Sequence, residues 1–165
     1  NIGDAERWQF NVNYSTPVCF IPGGRFTLSG LLRQSEVTDP VTGQPRDLSN
    51  TPESQIDINF RQDLSDLRMS WGVSLSKQGE YAAYRFNEID GGQEEGPWVD
   101  AWVETTALPN NMRLRLTAAN VADGDINRDR RFFTPDRNGA FLRSDVRQRA
   151  FPSSPWFILQ LSGSF

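Results

Sequence analysis

Apolar and polar residues alternate with a period of two along most of the chain, and this pattern predicts β-strands. In each alternating segment one face of the strand is aliphatic or aromatic, and the other is polar or small. The pattern is strong in seven segments and weaker in the two that are rich in charge, 127–134 and 140–149. The predicted strands are residues 8–14, 24–35, 54–62, 66–90, 97–107, 111–121, 127–134, 140–149 and 156–165.

The connections between these strands have two lengths. Residues 63–66 and 108–111 have the composition of tight turns, whereas residues 36–53 predict a long polar loop. Further polar loops are predicted at 91–96 and 122–125. Short turns at one end of a sheet and long loops at the other are typical of membrane barrels. This arrangement requires 66–90 to be one strand with a bulge near 77–80. The count is then nine, or ten if 77–80 is a hairpin.

Composition narrows the class of protein. Apolar residues make up 37% of the chain and charged residues 23%, with no apolar run long enough for a transmembrane helix. A barrel strand is polar at every second position, so it crosses a membrane with low mean hydropathy. The net charge is −4, and the arginines are interleaved with carboxylates. A nucleic-acid partner is therefore not expected, because no basic face is present to bind phosphates.

Histidine is absent, and Cys19 is the single cysteine. These counts argue against a histidine-based triad, a zinc site of the usual ligands and an intrachain disulfide. We therefore expect no cofactor and no enzymatic activity. An enzyme built as a small outer-membrane barrel remains a rival interpretation, but it requires a less common catalytic arrangement.

Alternation alone does not say which face of a strand meets water. A small stand-alone outer-membrane barrel, or a soluble β-barrel or β-sandwich that binds a small apolar ligand, has a similar pattern. Two features favour the membrane. Many strands reach about nine to eleven residues, which is the length that a tilted strand needs to cross a bilayer. Charged residues also recur in the middle of the polar rows, as a polar lumen allows: Arg68, Asp100, Arg113 and Arg115.

The end of the chain is a third such feature. Apolar or small residues occupy every second position up to a terminal phenylalanine. Outer-membrane barrels typically end in this way, and the barrel assembly machinery recognises the final strand. The expected assembly signal comprises Phe157, Leu159, Leu161, Gly163 and Phe165.

Several short motifs, taken in order, resemble the C-terminal barrel portion of TonB-dependent receptors. They cover most of the chain, although each is short. The matching stretches are DPVTG at 39–43, FRQD at 60–63, SWGV at 70–73, WVE at 102–104, LTAANV at 116–121, RDRR at 128–131 and LSGSF at 161–165.

This resemblance implies an all-β fold, namely an antiparallel transmembrane β-barrel meander of nine or ten strands within a larger barrel of the 22-stranded type. It implies energised import of a scarce nutrient, such as a siderophore, cobalamin or a sugar, across the bacterial outer membrane. The implied partners are outer-membrane lipid, the TonB energy-transducing complex and the barrel assembly machinery. The remaining barrel strands and the plug domain of the receptor would precede Asn1.

Four residues of one predicted strand are candidates for ligand binding in the lumen: Trp98, Asp100, Trp102 and Glu104. They share one face, and aromatic rings beside carboxylates can stack on a sugar or hold a cation. The alternative is a structural role, either in packing against a plug or in an aromatic girdle at the membrane interface.

Three other clusters have stronger structural than functional interpretations. The Asp123-Gly124-Asp125 stretch, with Asn120 and Asn127 nearby, lacks the spacing of an EF-hand and suits an Asx-capped turn. Two of the three aspartates 57, 63 and 66 flank a tight turn, which argues against paired catalytic carboxylates. An arginine-rich set is expected to form a cross-strand ladder with Asp129 and Asp145. That set comprises Arg128, Arg130, Arg131, Arg143, Arg147 and Arg149.

Overall fold

The computed structural model describes residues 4–148 and 155–163, and the statements that follow concern these residues. The fold is all-β, and every strand pair is antiparallel. Two short 3₁₀ turns, Ser65–Leu67 and Pro109–Asn111, complete it. The strands are β1 (Ala5–Pro17), β2 (Gly24–Thr38), β3 (Pro45–Arg46), β4 (Ser54–Leu64), β5 (Met69–Gln78), β6 (Tyr81–Tyr84), β7 (Glu88–Glu95), β8 (Trp98–Thr105), β9 (Arg113–Ala119), β10 (Asp125–Thr134), β11 (Ala140–Gln148) and β12 (Trp156–Ser162).

A large sheet contains seven strands in the order β1-β2-β4-β5-β8-β9-β12, with β3 paired to the end of β2. A second sheet contains β6, β7, β10 and β11, paired in that order. In the sequence, β6 follows β5, β7 precedes β8, β10 follows β9 and β11 precedes β12. The strands of the second sheet are therefore arranged in the same order as these strands of the large sheet. The second sheet therefore extends one half of the large sheet at one end. Together the strands form seven antiparallel passes of the chain.

Connections at the two ends of the large sheet differ. The short turns 65–68 and 106–112 lie at one end together with residues 18–23. The connection 39–53 and the second sheet lie at the other end, where the chain reverses at 85–87 and 135–139. The predicted turns at 63–66 and 108–111 are confirmed, and they lie at the same end. Arg68 ends the first of them in the left-handed region, with φ of 50°.

The register of the large sheet keeps apolar residues on one face. Directly opposed residues of an antiparallel pair point to the same side. Phe10 faces Leu32, Phe60 faces Val73, and Leu116 lies between Val103 and Leu159. One side of the sheet is consequently aliphatic and aromatic across all seven strands. The opposite side carries serine, asparagine, aspartate and arginine.

Exposure is reversed from that of an ordinary soluble sheet. The buried apolar residues of the described chain are Val37 and Ala119, at 2% and 4% exposure. Large apolar side chains on the apolar face are exposed, among them Trp8 at 55% and Leu159 at 69%. By contrast, Ser70 and Glu104 are buried on the polar face of the large sheet, and Glu88 and Asp90 are buried in the second sheet. A soluble antiparallel sheet packs its apolar face on a core and presents its polar face to water.

The sequence prediction needs three corrections. β1 and β12 end the strand order and do not pair with each other, so the described sheet is open and no closed barrel is formed. The strand predicted at 66–90 begins at Met69, bends at 79–80 without a hairpin and reverses at 85–87. Residues 91–96, predicted as a loop, lie mostly in β7.

The strand count changes accordingly. The described chain has twelve strand segments, which form seven passes and not the nine or ten strands predicted. The number of passes is smaller because β10 and β11 prolong β9 and β12 and are not separate passes. The stretch 122–125 forms the bend between β9 and β10, not a hairpin loop. Of the expected assembly signal, Phe157, Leu159 and Leu161 lie exposed on the apolar face of β12. Phe165 lies outside the described residues.

Candidate functional site

The four candidate residues of β8 share the polar face of the large sheet. Each lies opposite a small residue of β5, because β5 has serine or glycine at every second position. Trp102 faces Gly72, and Glu104 faces Ser70. Asp100 and Trp98 face Ser74 and Ser76. This small row leaves room for the bulky side chains of β8.

Trp102 forms the centre of a compact cluster. The Arg115 guanidinium carbon lies 4.1 Å from the centroid of the indole, and that of Arg61 lies 5.7 Å from it. Both distances fall within the range of cation–π attraction. The ring also lies directly over Gly72, where an added Cβ would approach its edge to 2.8 Å. The position of Trp102 is therefore fixed by a glycine and by arginines from both neighbouring parts of the sheet.

Glu104 belongs to the same cluster. Its carboxylate is buried and lies 3.5 Å from Nε of Arg113 and 3.8 Å from Nη1 of Arg115. Arg115 thus contacts both Trp102 and Glu104. The two arginines are partly exposed, so we assign the ion pairs only a modest contribution to stability.

The other two candidates have structural partners. Asp100 accepts a hydrogen bond from the backbone N–H of Asn120, with an N–O distance of 2.8 Å. Trp98 contacts Trp156 edge to face, with ring centroids 5.8 Å apart. The sequence predicts that all four residues lie on one face of the strand, and the structure confirms this. Only Trp102 and Glu104 share a partner, whereas Asp100 contacts the chain just after β9 and Trp98 reaches across β9 to β12.

Gly72→Ala is expected to destabilise the fold by about 1–3 kcal/mol, the usual cost of overpacking. The new Cβ would lie 2.6 Å from the Phe60 carbonyl oxygen and would displace the Trp102 ring. Denaturant unfolding and near-ultraviolet circular dichroism measure the two effects. Gly30→Ala is the matched control, because the nearest atom to its Cβ would be 3.9 Å away. Equal stability of the two variants would contradict the proposed packing of Trp102.

The Asn120–Gly124 bend has the structure of an Asx-capped turn. Asn120 is fully buried, and its amide group donates to the Gly124 carbonyl and accepts from the Gly124 N–H, at 3.0 and 2.8 Å. Asn120 and Asp123 both adopt positive φ, which asparagine and aspartate tolerate. No group of three or more potential metal-binding residues is present in the described parts of the chain. The interpretation as a turn is confirmed.

The aspartates 57, 63 and 66 are spread along β4 and the turn that follows it. Asp57 and Asp63 lie six positions apart along β4, which separates them by roughly 20 Å at the rise of an extended strand. Asp63 pairs with Arg61 at 2.8 Å, and Asp57 accepts a hydrogen bond from Gln55. Asp66 lies in the first 3₁₀ turn.

The second sheet carries an ion-pair cluster that the sequence prediction assigned to other partners. Arg128 donates two hydrogen bonds to Asp90, at 2.6 and 2.5 Å, and Arg130 donates one to Glu88 at 2.5 Å. Arg85 reaches Glu88 at 2.8 Å and Asp90 at 3.4 Å. The expected ladder with Asp129 and Asp145 is reduced to contacts of 3.6 Å with Arg131 and Arg143. Arg149 lies outside the described residues.

The alternating acids Glu88 and Asp90 and the alternating arginines 128 and 130 lie on adjoining strands, which explains this pairing. Hydrogen bonds from Arg130 and Arg128 lower the pKa of Glu88 and of Asp90 respectively, and they outweigh the opposing effect of burial. The alternating charges are present in the sequence, but Asp90 falls at the end of the predicted strand 66–90. Residues 91–95 of β7 fall in a predicted loop, so the pairing of β7 with β10 is not predicted.

A further buried carboxylate, Asp39, has no signal in the sequence and joins two distant connections. It is 1% exposed and pairs with Arg46 and Arg137, the latter at 2.6 Å. It also accepts hydrogen bonds from the backbone N–H groups of Val41 and Thr42. Burial alone would raise the pKa of Asp39, but the hydrogen bonds outweigh it and lower the pKa far below its usual range.

Both arginines that contact Asp39 also lie against the ring of Tyr84, at 4.5 Å for Arg46 and 5.5 Å for Arg137. The cluster therefore connects the 39–46 region, the end of β6 and the turn after β10. The sequence places Asp39 only in the predicted loop 36–53 and in the DPVTG motif.

No family model, curated protein or solved structure matches this chain. Within the described residues, no helix has the length and apolar character needed to span a membrane.

Proposed function

We propose that this chain is part of the β-barrel of an outer-membrane receptor resembling the TonB-dependent receptors. In this proposal the large sheet crosses the outer membrane, and the second sheet with the 39–53 connection extends from the outer surface. The role of the chain is structural and receptive, and it catalyses no reaction. Its cargo would be a scarce nutrient taken up from outside the cell.

The observation that carries the proposal is the reversed exposure of the large sheet. One face is apolar and carries exposed large side chains on all seven strands, while the other face carries the buried Glu104 and the partly buried Asp57, Asp100 and Arg115. Transferring such a face from water to hydrocarbon is favourable at roughly 25 cal/mol per Å². A lipid-facing exterior and a polar interior are the arrangement of membrane barrels.

The open edges support the same proposal. An unpaired strand in hydrocarbon leaves backbone groups unsatisfied, each costing several kcal/mol. We infer that β1 and β12 pair with further strands of the same receptor, which also supplies the plug domain. Delivery by the barrel assembly machinery and energy from the TonB complex would follow from this role.

The two faces can be distinguished by the quenching of tryptophan fluorescence with brominated lipids in reconstituted vesicles. Trp8 and Trp71 lie on the apolar face, whereas Trp98, Trp102 and Trp156 lie on the polar face. Trp71→Phe is expected to lower the quenchable fraction of the emission, because it removes a lipid-exposed ring. Trp102→Phe is expected to raise that fraction. Opposite shifts, or quenching that neither variant changes, would refute the membrane assignment.

A further inference from the structure

A groove of about 360 Å³ lies on the apolar face of the large sheet. Its walls come from the neighbouring strands β1, β2 and β4, and the outer end of β5 closes it. Large wall side chains such as Phe10, Leu32 and Ile56 remain exposed, so the described chain leaves the groove uncovered. The walls are aliphatic and aromatic, and they comprise Phe10, Val12, Leu28, Leu32 and Ile56.

The groove is present because its floor is a glycine. Gly30 faces Val12 of β1 and Ile56 of β4 in the register of the sheet. A Cβ added to Gly30 would meet its nearest atom, the Val12 Cβ, at 3.9 Å, so the space above the glycine is open. The strands β1 and β4 lie two strand spacings apart, roughly 10 Å, which leaves a slot between the two branched side chains. A slot of this width and apolar character suits a single hydrocarbon chain.

One end of the groove carries a positive charge. Lys77 faces Ile56 and lines the groove at the outer end of β5. It is the single lysine of the chain, and it is the one cation on the apolar face of the described large sheet, because the arginines of these strands lie on the polar face. Its ammonium group forms no ion pair with another described residue. The acids of this face, Glu6 and Glu36, lie six positions outward from the row of Gly30, roughly 20 Å along the strand.

The depth of Lys77 follows from the register and the tilt of barrel strands. Trp8 lies four residues outward from Val12, which shares a row with Lys77. Four residues span roughly 13 Å along β1, and the three strand spacings from β1 to β5 span roughly 14 Å. A line from Trp8 to Lys77 therefore crosses the rows at roughly 43°, within the tilt of about 35–45° that barrel strands adopt.

Trp8 marks the level of the lipid headgroups in this arrangement. Its indole N–H donates a hydrogen bond to the side chain of Gln34, at 2.9 Å, while the ring remains on the apolar face. Such a ring, apolar with a polar tip, is typical of the boundary between lipid and water. Lys77 then lies at headgroup level as well, and the groove extends from it toward the hydrocarbon.

We propose that this groove binds one anionic glycerophospholipid, with an acyl chain over Gly30 and the phosphate paired with the Lys77 ammonium group. The site rests on the proposed function, which sets the apolar face against lipid, and it adds a selection for headgroup charge. The groove alone attracts any acyl chain. The unpaired lysine favours a headgroup of net negative charge, since a zwitterionic headgroup carries its own cation to the phosphate.

Native mass spectrometry of the full chain in detergent, titrated with phosphatidylglycerol or with phosphatidylcholine of the same acyl chains, measures this selection. We expect one phosphatidylglycerol to bind saturably and more tightly than phosphatidylcholine. Lys77→Gln is expected to weaken phosphatidylglycerol binding by about tenfold, because a hydrogen bond between charged groups is lost. The same variant should leave phosphatidylcholine binding nearly unchanged, and Lys77→Arg should retain the preference.

Arg7→Gln is the matched control for the lost charge, since Arg7 is exposed near the same end of the sheet but on the polar face. It should change the affinity by less than about twofold, because a distant exposed charge is screened. Gly30→Leu fills the groove and is expected to weaken the binding of both lipids. Ala101→Leu adds an apolar side chain elsewhere on the apolar face and should weaken neither.

Equal affinity for the two lipids, or an equal loss in Lys77→Gln and Arg7→Gln, would overturn the proposal. Unchanged binding in Gly30→Leu would also overturn it, because the acyl chain would then lie elsewhere. Displacement of phosphatidylglycerol by an equal concentration of glycerol 3-phosphate would do the same, because the acyl chain would contribute nothing. These outcomes concern headgroup and chain selection in detergent, whereas tryptophan quenching reports which face meets the bilayer, so each proposal can fail without the other test changing.

Discussion

Val73→Arg is expected to destabilise the chain in lipid vesicles by about 2–4 kcal/mol, the cost of an arginine on the lipid face of a barrel near mid-bilayer. Val73 lies in the middle of β5, opposite Phe60 and Ala101, on the apolar face. A guanidinium there must reach the interface or remain in hydrocarbon. Urea unfolding of the reconstituted protein, followed by tryptophan fluorescence, gives the change in the free energy of unfolding.

Asn59→Arg is the matched control for this substitution. Asn59 lies on the neighbouring strand β4, one position from Phe60, but its side chain is exposed on the polar face between Asp57 and Arg61. We expect a change of less than about 0.5 kcal/mol, as for ordinary surface substitutions. Equal destabilisation by the two arginines would contradict the assignment of the apolar face to lipid.

Alternation of polar and apolar residues does not predict which polar positions of the sheet are accessible. Ser70 lies on the same polar face as Asn59, so the alternating pattern alone predicts that both positions tolerate arginine. In the structure Ser70 is buried opposite Glu104. An arginine there would meet packed side chains whichever face is lipid-exposed. Parity predicts the side of the sheet, but burial depends on the size of the cross-strand neighbours.

Sequence analysis predicted the large sheet well, because its two faces meet different surroundings. A row such as Met69, Trp71 and Val73 against Ser70, Gly72 and Ser74 has the period of two that defines a strand. The predicted strands 24–35, 54–62 and 97–107 correspond to β2, β4 and β8 within a few residues.

In the second sheet the predicted strands 127–134 and 140–149 correspond to β10 and β11, whereas the reversal at 85–87 and most of β7 are not predicted, because the alternation is weak there. Both faces of β7 and β10 carry charged or polar residues, so polarity does not alternate clearly. Gly91 and Gly92 resemble a loop in sequence, although in β7 the missing side chain of Gly92 makes room for Tyr81. Strands that are polar on both faces are specified by cross-strand ion pairs, which single-sequence periodicity does not detect.

The candidate site was predicted to the level of a face and no further. Trp102 and Glu104 were assigned correctly to one side of β8. Their partners Arg61 and Arg115 come from β4 and β9, and only the register of the strands brings them together. A one-residue shift in register moves every side chain of a strand to the other face. The Asp39–Arg137 pair, separated by 98 positions, depends on how two connections meet and has no local signal.

Asp39→Asn is expected to open the connection 39–53 at a local cost of about 3–5 kcal/mol, the penalty for removing one partner of a buried ion pair. Two guanidinium groups that are nearly buried, those of Arg46 and Arg137, would lose their shared carboxylate. Hydrogen exchange at the amides of Val41 and Thr42, which donate to Asp39, measures the opening directly. Asp66→Asn in the exposed turn at the opposite end is the control.

The same carboxylate should keep the connection closed in mild acid. The pKa of Asp39 lies well below its ordinary value of 3.8, because the hydrogen bonds it accepts outweigh the effect of burial. A lowered pKa in the folded state gives a stabilisation that is fully present above the unfolded pKa and is lost only as the pH falls through the folded one. Protection at Val41 and Thr42, corrected for the intrinsic exchange rate, should therefore be equal at pH 7 and about pH 4 in the wild-type chain. Protection that disappears between these values, or that survives intact in Asp39→Asn, would show that the buried ion pair does not hold the two connections together.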